Sequence, residues 1–347
     1  MINCKAPNSG ITITPWGDIR PCCAYDGSLG NINDIDDISE HFRSGEQYKA
    51  LRGHMATKDI QDYKPCASCV DGKQEMKAYE NFSPEVELEY LEVTASNICN
   101  QSCIMCSPMF STTLGTVLGN KTFNRLTAKQ ILDILKNIPN LKAIQLKGGE
   151  PFADMKNAII LERIAKVNPD CKVTIQTNTR AITPAWYPIL SRLNNLSLGV
   201  SIDATGELYE WIRGTDFDTT HNTLQDVRDM LPNAKLNCTV TTSVFNFWEH
   251  EAIYDQVSDH VDSFDLSNVL RTPEHLSILM LDQVTLTKRI LELATFAKAT
   301  DKCTGIESFY NSFTLDNPDY EKLRAHINQF NKIRKVNYES PVSSFKY

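Results

Sequence analysis

From about residue 86 to residue 275 the chain alternates short apolar runs with longer amphipathic stretches. The apolar runs are LEYLEVTA (88–95), AIQLKG (143–148), KVTIQTN (172–178), LSLGVSID (196–203), KLNCTVTT (235–242) and SFDLSNVL (263–270). They have strand length, are rich in aliphatic and β-branched residues, and end on glycine or polar positions, so they predict strands. Between them, TAKQILDILKNI (127–138), MKNAIILERIAKV (155–167), PAWYPILSRL (184–193) and HNTLQDVRDML (221–231) place apolar residues at three- and four-residue intervals and predict helices. Strands alternating with such helices predict an α/β fold with βαβ units and a parallel sheet. Six strands are expected, fewer than the eight of a closed TIM barrel. Two further helices are expected around 284–298 and 318–335, followed by a tail.

Before residue 80 the pattern differs. ITITPWGDIRPC (11–22) alternates apolar and polar positions around a Pro-Trp-Gly-Asp turn and predicts a β-hairpin. DIDDISEHFRSGEQYKALRG (34–53) carries Ile35, Ile38, Phe42, Tyr48 and Leu51 at helical spacing, with a break expected near Gly45. The expected organisation is a small hairpin-and-helix module at 1–80, an α/β core at 81–283 and a helical extension at 284–347.

Composition narrows the function. The 347 residues are 41% apolar and 22% charged, and 35 basic against 43 acidic side chains leave a net charge of −8. No basic face is implied, so no nucleic-acid partner is expected. The first residues, MINCKAPNSG, lack the basic and apolar stretches of a secretory signal, and no apolar run nears the ~18 residues of a membrane span. A cytoplasmic protein without a membrane partner is expected. Its eleven cysteines then read as metal ligands or reduced thiols rather than a disulfide framework. Cys171, Cys238 and Cys303 stand singly and read as core thiols. The seven histidines form no paired metal motif, and G-x-S-x-G, Walker and G-x-G-x-x-G sequences are absent.

The chemistry concentrates in NICNQSCIMC (97–106), where Cys99, Cys103 and Cys106 are spaced C-x3-C-x2-C directly after the first core strand. Thiolates suit zinc, cuprous copper or iron–sulfur clusters. Three ligands instead of four leave a coordination position open, the mark of a reactive site.

This loop, followed by successive strand–helix units, resembles the radical S-adenosylmethionine (radical SAM) superfamily over roughly residues 86–275. The resemblance implies a partial (β/α)6 TIM-like barrel and a 4Fe-4S cluster on Cys99, Cys103 and Cys106. It implies S-adenosylmethionine chelated at the open iron through its amine and carboxylate. An electron from the reduced cluster would cleave the sulfonium, and the resulting 5′-deoxyadenosyl radical would abstract hydrogen from substrate. Met105 stands where the family often has an aromatic residue, and a thioether also packs on a purine ring. By the same resemblance, Gly148, Gly149, Glu150 and Pro151 (GGEP) would receive the methionine amine. Ser201 and Asp203, two apart on one side of a strand, would meet the ribose hydroxyls. Arg213 would meet the methionine carboxylate, and Asn178 would reach the cofactor. Turn or helix-cap residues are the alternatives for Asn178 and Asp203, and a solvated surface residue for Arg213.

Cys4, Cys22, Cys66 and Cys69 form a second set. The pattern C-x12-G-x4-C, with Gly17 as its glycine, then C-x2-C, resembles the twitch module, a shortened SPASM domain. In relatives that module binds an auxiliary 4Fe-4S cluster and usually follows the core; here it precedes it. The hairpin would bring Cys4 and Cys22 together, and the gap helix would return Cys66 and Cys69 to them. Four cysteines would saturate such a cluster, which suits electron transfer. A structural zinc site is the alternative, and Cys23 is an alternative ligand or hydrogen donor. The function implied is a radical SAM oxidoreductase or modifying enzyme acting on a peptide, or on a small molecule such as a nucleotide or sugar. A flavodoxin- or ferredoxin-type donor would supply its electrons. An iron–sulfur or zinc protein without radical chemistry is the other class.

Overall fold

The computed structural model describes residues 4–57, 63–66, 82–309 and 318–339. The chain divides into two compact units. The first comprises residues 1–99, 123–176 and 183–196, and the second residues 100–122, 177–182 and 197–347.

The first unit holds β1 (Gly10–Ile13), β2 (Ile19–Arg20), α1 (Ile38–Ser44), α2 (Glu46–Thr57), β3 (Tyr90–Thr94), α3 (Ala128–Asn137), β4 (Ala143–Lys147), α4 (Met155–Val167) and β5 (Lys172–Thr177). Its strand order is β2-β1-β3-β4-β5. The hairpin forms as expected, with Thr12 opposite Arg20 and Ile13 opposite Ile19. Gly17 turns it at φ +91°, a conformation open to glycine, where a Cβ would also press on Asn31 Oδ1 at 2.8 Å. The amphipathic stretch after it breaks at Gly45 into α1 and α2.

The hairpin's outer partner was not visible in the pattern. β1 lies parallel to β3, from Gly10 opposite Tyr90 to Ile13 opposite Val93. The N-terminal segment thus adds two strands to the sheet that continues through β4 and β5, also parallel. Leu91, Val93, Ile144, Leu146, Val173 and Ile175 share one face of this sheet by register and are all buried, as are Ile131 and Ile134 of α3 and Ile160, Leu161 and Ile164 of α4. The expected helix at 184–193 contracts to the single turn Tyr187–Leu190, consistent with prolines at 184 and 188.

The second unit holds β6 (Leu196–Ser201), α5 (Gly206–Arg213), α6 (Phe217–Met230), β7 (Lys235–Thr239), α7 (His250–Val257), β8 (Ser263–Asp265), α8 (Gln283–Ala299), β9 (Cys303–Thr304) and α9 (Tyr320–Arg334). Its strands run in the order β6-β7-β8-β9, all parallel. All six expected core strands are present as β3 to β8; the two-residue β9 and the helices α5 and α7 were not expected. The fold is α/β with a mostly parallel sheet. Cys171 and Cys238 are buried and Cys303 is half-buried. Among the described residues no helix is long and apolar enough to cross a membrane.

Polar contacts anchor the N-terminal segment on α3. Asp37 caps α1 by accepting from Glu40 N–H. Asp133 on α3 accepts from Ile38 N–H at 3.0 Å, satisfying a second orphan donor of α1 across 95 residues. Gln130, one half of the capping box that starts α3, also donates to Asn33 Oδ1 at 2.7 Å. Replacing Asp133 with Ala leaves a buried N–H without its acceptor and is expected to cost about 1–3 kcal/mol in urea unfolding. An unchanged midpoint would show that water takes over the bond.

Candidate active site and cluster sites

The cysteine loop begins in the first unit and ends in the second. In the first, β3 runs into Ser96, Asn97, Ile98 and Cys99. Asn97 is tied to Asn124 by two hydrogen bonds, its N–H to the Asn124 carbonyl and the Asn124 N–H to its Oδ1, both 3.0 Å. The GGEP turn after β4 lies directly against this stretch. Gly149 N–H donates to the Ser96 carbonyl at 3.3 Å and Glu150 N–H to the Ile98 carbonyl at 2.7 Å. Gly148 sits at φ +138°, and a Cβ on it would stand 2.6 Å from the Ser96 carbonyl oxygen. A Cβ on Gly149 would overlap the Ile98 carbonyl. Both glycines are therefore demanded by backbone packing next to Cys99. Glu150 is buried, and its carboxylate accepts from Phe152 N–H at 3.1 Å, capping the turn that Pro151 opens.

In the second unit the loop residues 100–106 rest on α5 and the segment after β5. Asn178 is buried and donates to Asn100 Oδ1 at 2.8 Å. Thr179 beside it is buried with φ +64°, an unfavourable conformation for a β-branched residue. Gln101 donates to Tyr209 Oη at 3.3 Å and Thr215 Oγ1 at 2.9 Å. Ile104 N–H donates to the Ile212 carbonyl at 2.9 Å, and Cys106 N–H to the Cys103 carbonyl at 3.1 Å.

Arg213 ends α5, with Gly214 at φ +75° as its left-handed cap. Its Nη1 donates to Cys103 Sγ at 3.8 Å and to Gln101 Oε1 at 3.4 Å. Its Nε stands 2.6 Å from Asp203 Oδ2, and Asp203 Oδ1 accepts from Thr241 N–H at 2.7 Å. Arg213 and Asp203, for which the family resemblance implies two different parts of a cofactor, form one buried ion pair beside a cysteine. Burial works against the Arg213 charge, but Asp203, Cys103 and Tyr209 outweigh it and hold the pKa above the ordinary arginine value. Burial also pushes the Asp203 carboxyl up, against the pull of Arg213 and the Thr241 N–H. Burial raises the Cys103 thiol, with Arg213 opposing. Cys106 is pushed up to about 12 by burial and by Cys103. Ser201, half-buried at the end of β6, lies in register with Thr239.

The N-terminal cysteines sit in the first unit. Cys22 and Cys66 are buried, Cys4 is half-buried and Cys23 is exposed. Asp26 N–H donates to the Pro65 carbonyl at 2.8 Å, which ties the turn after Cys22 to the one ending at Cys66. Burial raises the Cys22 thiol, and Cys23, Cys4 and Cys66 all act on it in the same direction, so the four lie within electrostatic reach. Cys69 lies outside the described residues. No described cysteine is in a disulfide, and among the described residues no three Cys, His, Asp or Glu side chains already stand in metal-binding geometry. Buried thiols gathered in this way fit a soft metal or cluster, which would take them as thiolates. Gln101 and Ser102 occupy the unspecified positions of the motif, Tyr209 and Arg334 lie on distant helices and Thr215 in the bend after one of them, so no local sequence signal marks them.

Residues 93–257 match the family model of the radical SAM superfamily, and residues 4–70 match that of SPASM, an iron–sulfur cluster-binding domain. An uncharacterized protein of Methanocaldococcus jannaschii is 30% identical over 122 residues, 33% of this chain and 39% of that protein. The crystal structure of Streptococcus suis SuiB bound to S-adenosylmethionine is similar with a TM-score of 0.50 at 13% identity, over 80% of this chain and 65% of SuiB. SuiB bound to the precursor peptide SuiA gives a TM-score of 0.47 at 13% identity, over 82% and 66%. The chain thus spans about 39% of the length of the curated relative and about 65% of SuiB.

Three substitutions test this geometry. Arg213→Met leaves the buried Asp203 carboxylate without its partner and is expected to cost about 3–5 kcal/mol in denaturant unfolding, with Asp203→Asn in the same chain recovering part of the loss. Gly149→Ala is expected to lower both the unfolding midpoint and the iron taken up on anaerobic reconstitution, since the Ile98–Cys99 backbone must move. Wild-type iron content in a folded Gly149→Ala protein would sink the second expectation.

Proposed function

We propose that this chain, a member of the radical SAM superfamily with a SPASM-type iron–sulfur domain ahead of its core, is an enzyme that cleaves S-adenosylmethionine reductively to modify a peptide. Cys99, Cys103 and Cys106 are the ligands proposed for the cluster that binds S-adenosylmethionine. Cys4, Cys22, Cys66 and Cys69 are those proposed for the auxiliary 4Fe-4S cluster. When bound, these groups supply one-electron cleavage of the sulfonium and removal of a hydrogen atom from substrate.

One observation supports this reading above the others: a permanently charged, buried Arg213 donates to Cys103 Sγ while Asp203 holds its other edge. A structural zinc site needs no such cation. Beside a cluster it offsets thiolate charge and favours the reduced form. The GGEP turn contributes a backbone surface packed on residues 96–98, which lead into Cys99. Asn178 and Ser201 are proposed to contact the cofactor from the ends of β5 and β6. A peptide is preferred as substrate because modules of the twitch and SPASM type accompany peptide modification in the family that the sequence resembles. The donor proposed is a flavodoxin or ferredoxin in a reducing compartment.

The test is anaerobic reconstitution followed by dithionite and S-adenosylmethionine. Release of 5′-deoxyadenosine, with about eight irons and eight sulfides per chain, is expected. Full cluster loading without cleavage refutes the enzyme, and about four irons with one zinc refutes the second cluster. Cys103→Ala should abolish cleavage, whereas Cys69→Ala should retain some cleavage and stop turnover; identical behaviour of the two variants contradicts the separate roles.

A further inference from the structure

Helix α9 lies beyond the stretch that matches the radical SAM family, yet it reaches the cysteine loop. His326, Phe330 and Arg334 recur every four residues and share one face of it. Arg334 uses all three of its nitrogens. Nη1 donates to Ser102 Oγ at 2.9 Å, Nη2 to the Ser102 carbonyl at 2.6 Å, and Nε to the Trp211 carbonyl at 3.3 Å. Its guanidinium also lies 5.6 Å from the centre of the Phe330 ring. Two turns earlier, His326 faces the backbone of Ile104.

The path to Ser102 is open because residue 214 is glycine. A Cβ there would stand 2.5 Å from Arg334 Nη2, 2.6 Å from its guanidinium carbon and 2.6 Å from Ser102 Oγ. The same glycine caps α5 directly after Arg213. Gly214 therefore meets two demands at once, a left-handed turn and a gap for a second arginine. Asn331, one turn before Arg334, docks the same helix differently: it accepts from Trp211 Nε1 at 2.8 Å and does not touch the loop through any described bond.

We propose that Arg334 is a positioning residue that clamps the cysteine loop, fixing Ser102 through the gap at Gly214 and so setting the direction of the Cys103 thiol. Its role toward a cluster rests on the proposed reading of Cys103 as a ligand; the clamp itself does not. The grip is a fork on two oxygens of one residue, which the single ammonium of lysine cannot reproduce. The arginine also brings a second cation to Cys103, on a different helix from Arg213.

Apo-protein and loaded protein separate these two contributions. In apo-protein, iodoacetamide labelling of Cys103, read by mass spectrometry, should be about fivefold faster or more in Arg334→Lys, which keeps the cation, and less accelerated in Arg334→Gln, where losing the cation lowers the thiolate fraction. Asn331→Ala, which loosens the helix elsewhere, should stay near the wild-type rate. In reconstituted protein the cluster potential, followed by electron paramagnetic resonance, should fall in Arg334→Gln and stay near wild type in Arg334→Lys, because only the former removes a cation. Arg334→Lys keeps charge and length, so it reports on the fork even if Arg334→Gln folds poorly. Wild-type labelling in Arg334→Lys, or equal labelling in Asn331→Ala, overturns the clamp. An unchanged potential in Arg334→Gln overturns its charge role. Faster labelling in a protein that cleaves no S-adenosylmethionine would leave the clamp standing and count against the cluster reading alone.

Discussion

The Arg213–Asp203 ion pair is the constraint around which the second unit is organised. Two opposite charges are buried at 2.6 Å. Removing them from water is costly, and their attraction alone does not offset that. The structure supplies further partners: the Thr241 N–H on one carboxylate oxygen, and Gln101 and Cys103 on the guanidinium. These partners come from the segment after β7 and from the cysteine loop, while the pair itself joins the segment after β6 to the end of α5. Satisfying one buried pair therefore holds four separate segments in register. It also leaves the cation against a thiol, the place where a metal–thiolate group would benefit from it.

The first unit meets a different demand. A two-stranded hairpin is marginal alone. Here β1 pairs in parallel with β3, and α1 is capped by a carboxylate from α3. The hairpin that carries Cys22 is thus built onto the sheet whose strand β3 leads to Cys99. The SPASM-type segment precedes the core, and its strand β1 adds directly to the edge at β3. The two glycines of GGEP act at the same edge. They let one backbone turn lie on another where any side chain would separate them.

Much of the fold was legible because its local and global preferences agree. Apolar runs of strand length, amphipathic stretches between them, the hairpin turn at Gly17 and the break at Gly45 all follow from residue patterns that need no distant partner. β9 was not legible, because two residues carry no periodicity. The helix α5 was not expected either, although its last residue Arg213 was singled out. Among the site residues, the spacing of Cys99, Cys103 and Cys106 and the GGEP turn are local motifs, so they could be read. Gln101, Ser102 and Arg334 could not, since their importance lies in what they touch.

The chain's own order of residues determined the α/β alternation, the positions of both cysteine sets and the three-against-four contrast between them. Ligand number and spacing are covalent properties, and hydrophobic period is a local one. Only the tertiary structure decided that Asp203 turns to Arg213, that Arg213 turns to Cys103, and that a helix more than two hundred residues away grips Ser102. A buried charge takes its meaning from the partner that makes its burial tolerable, and that partner is chosen by packing in space rather than by neighbourhood in sequence.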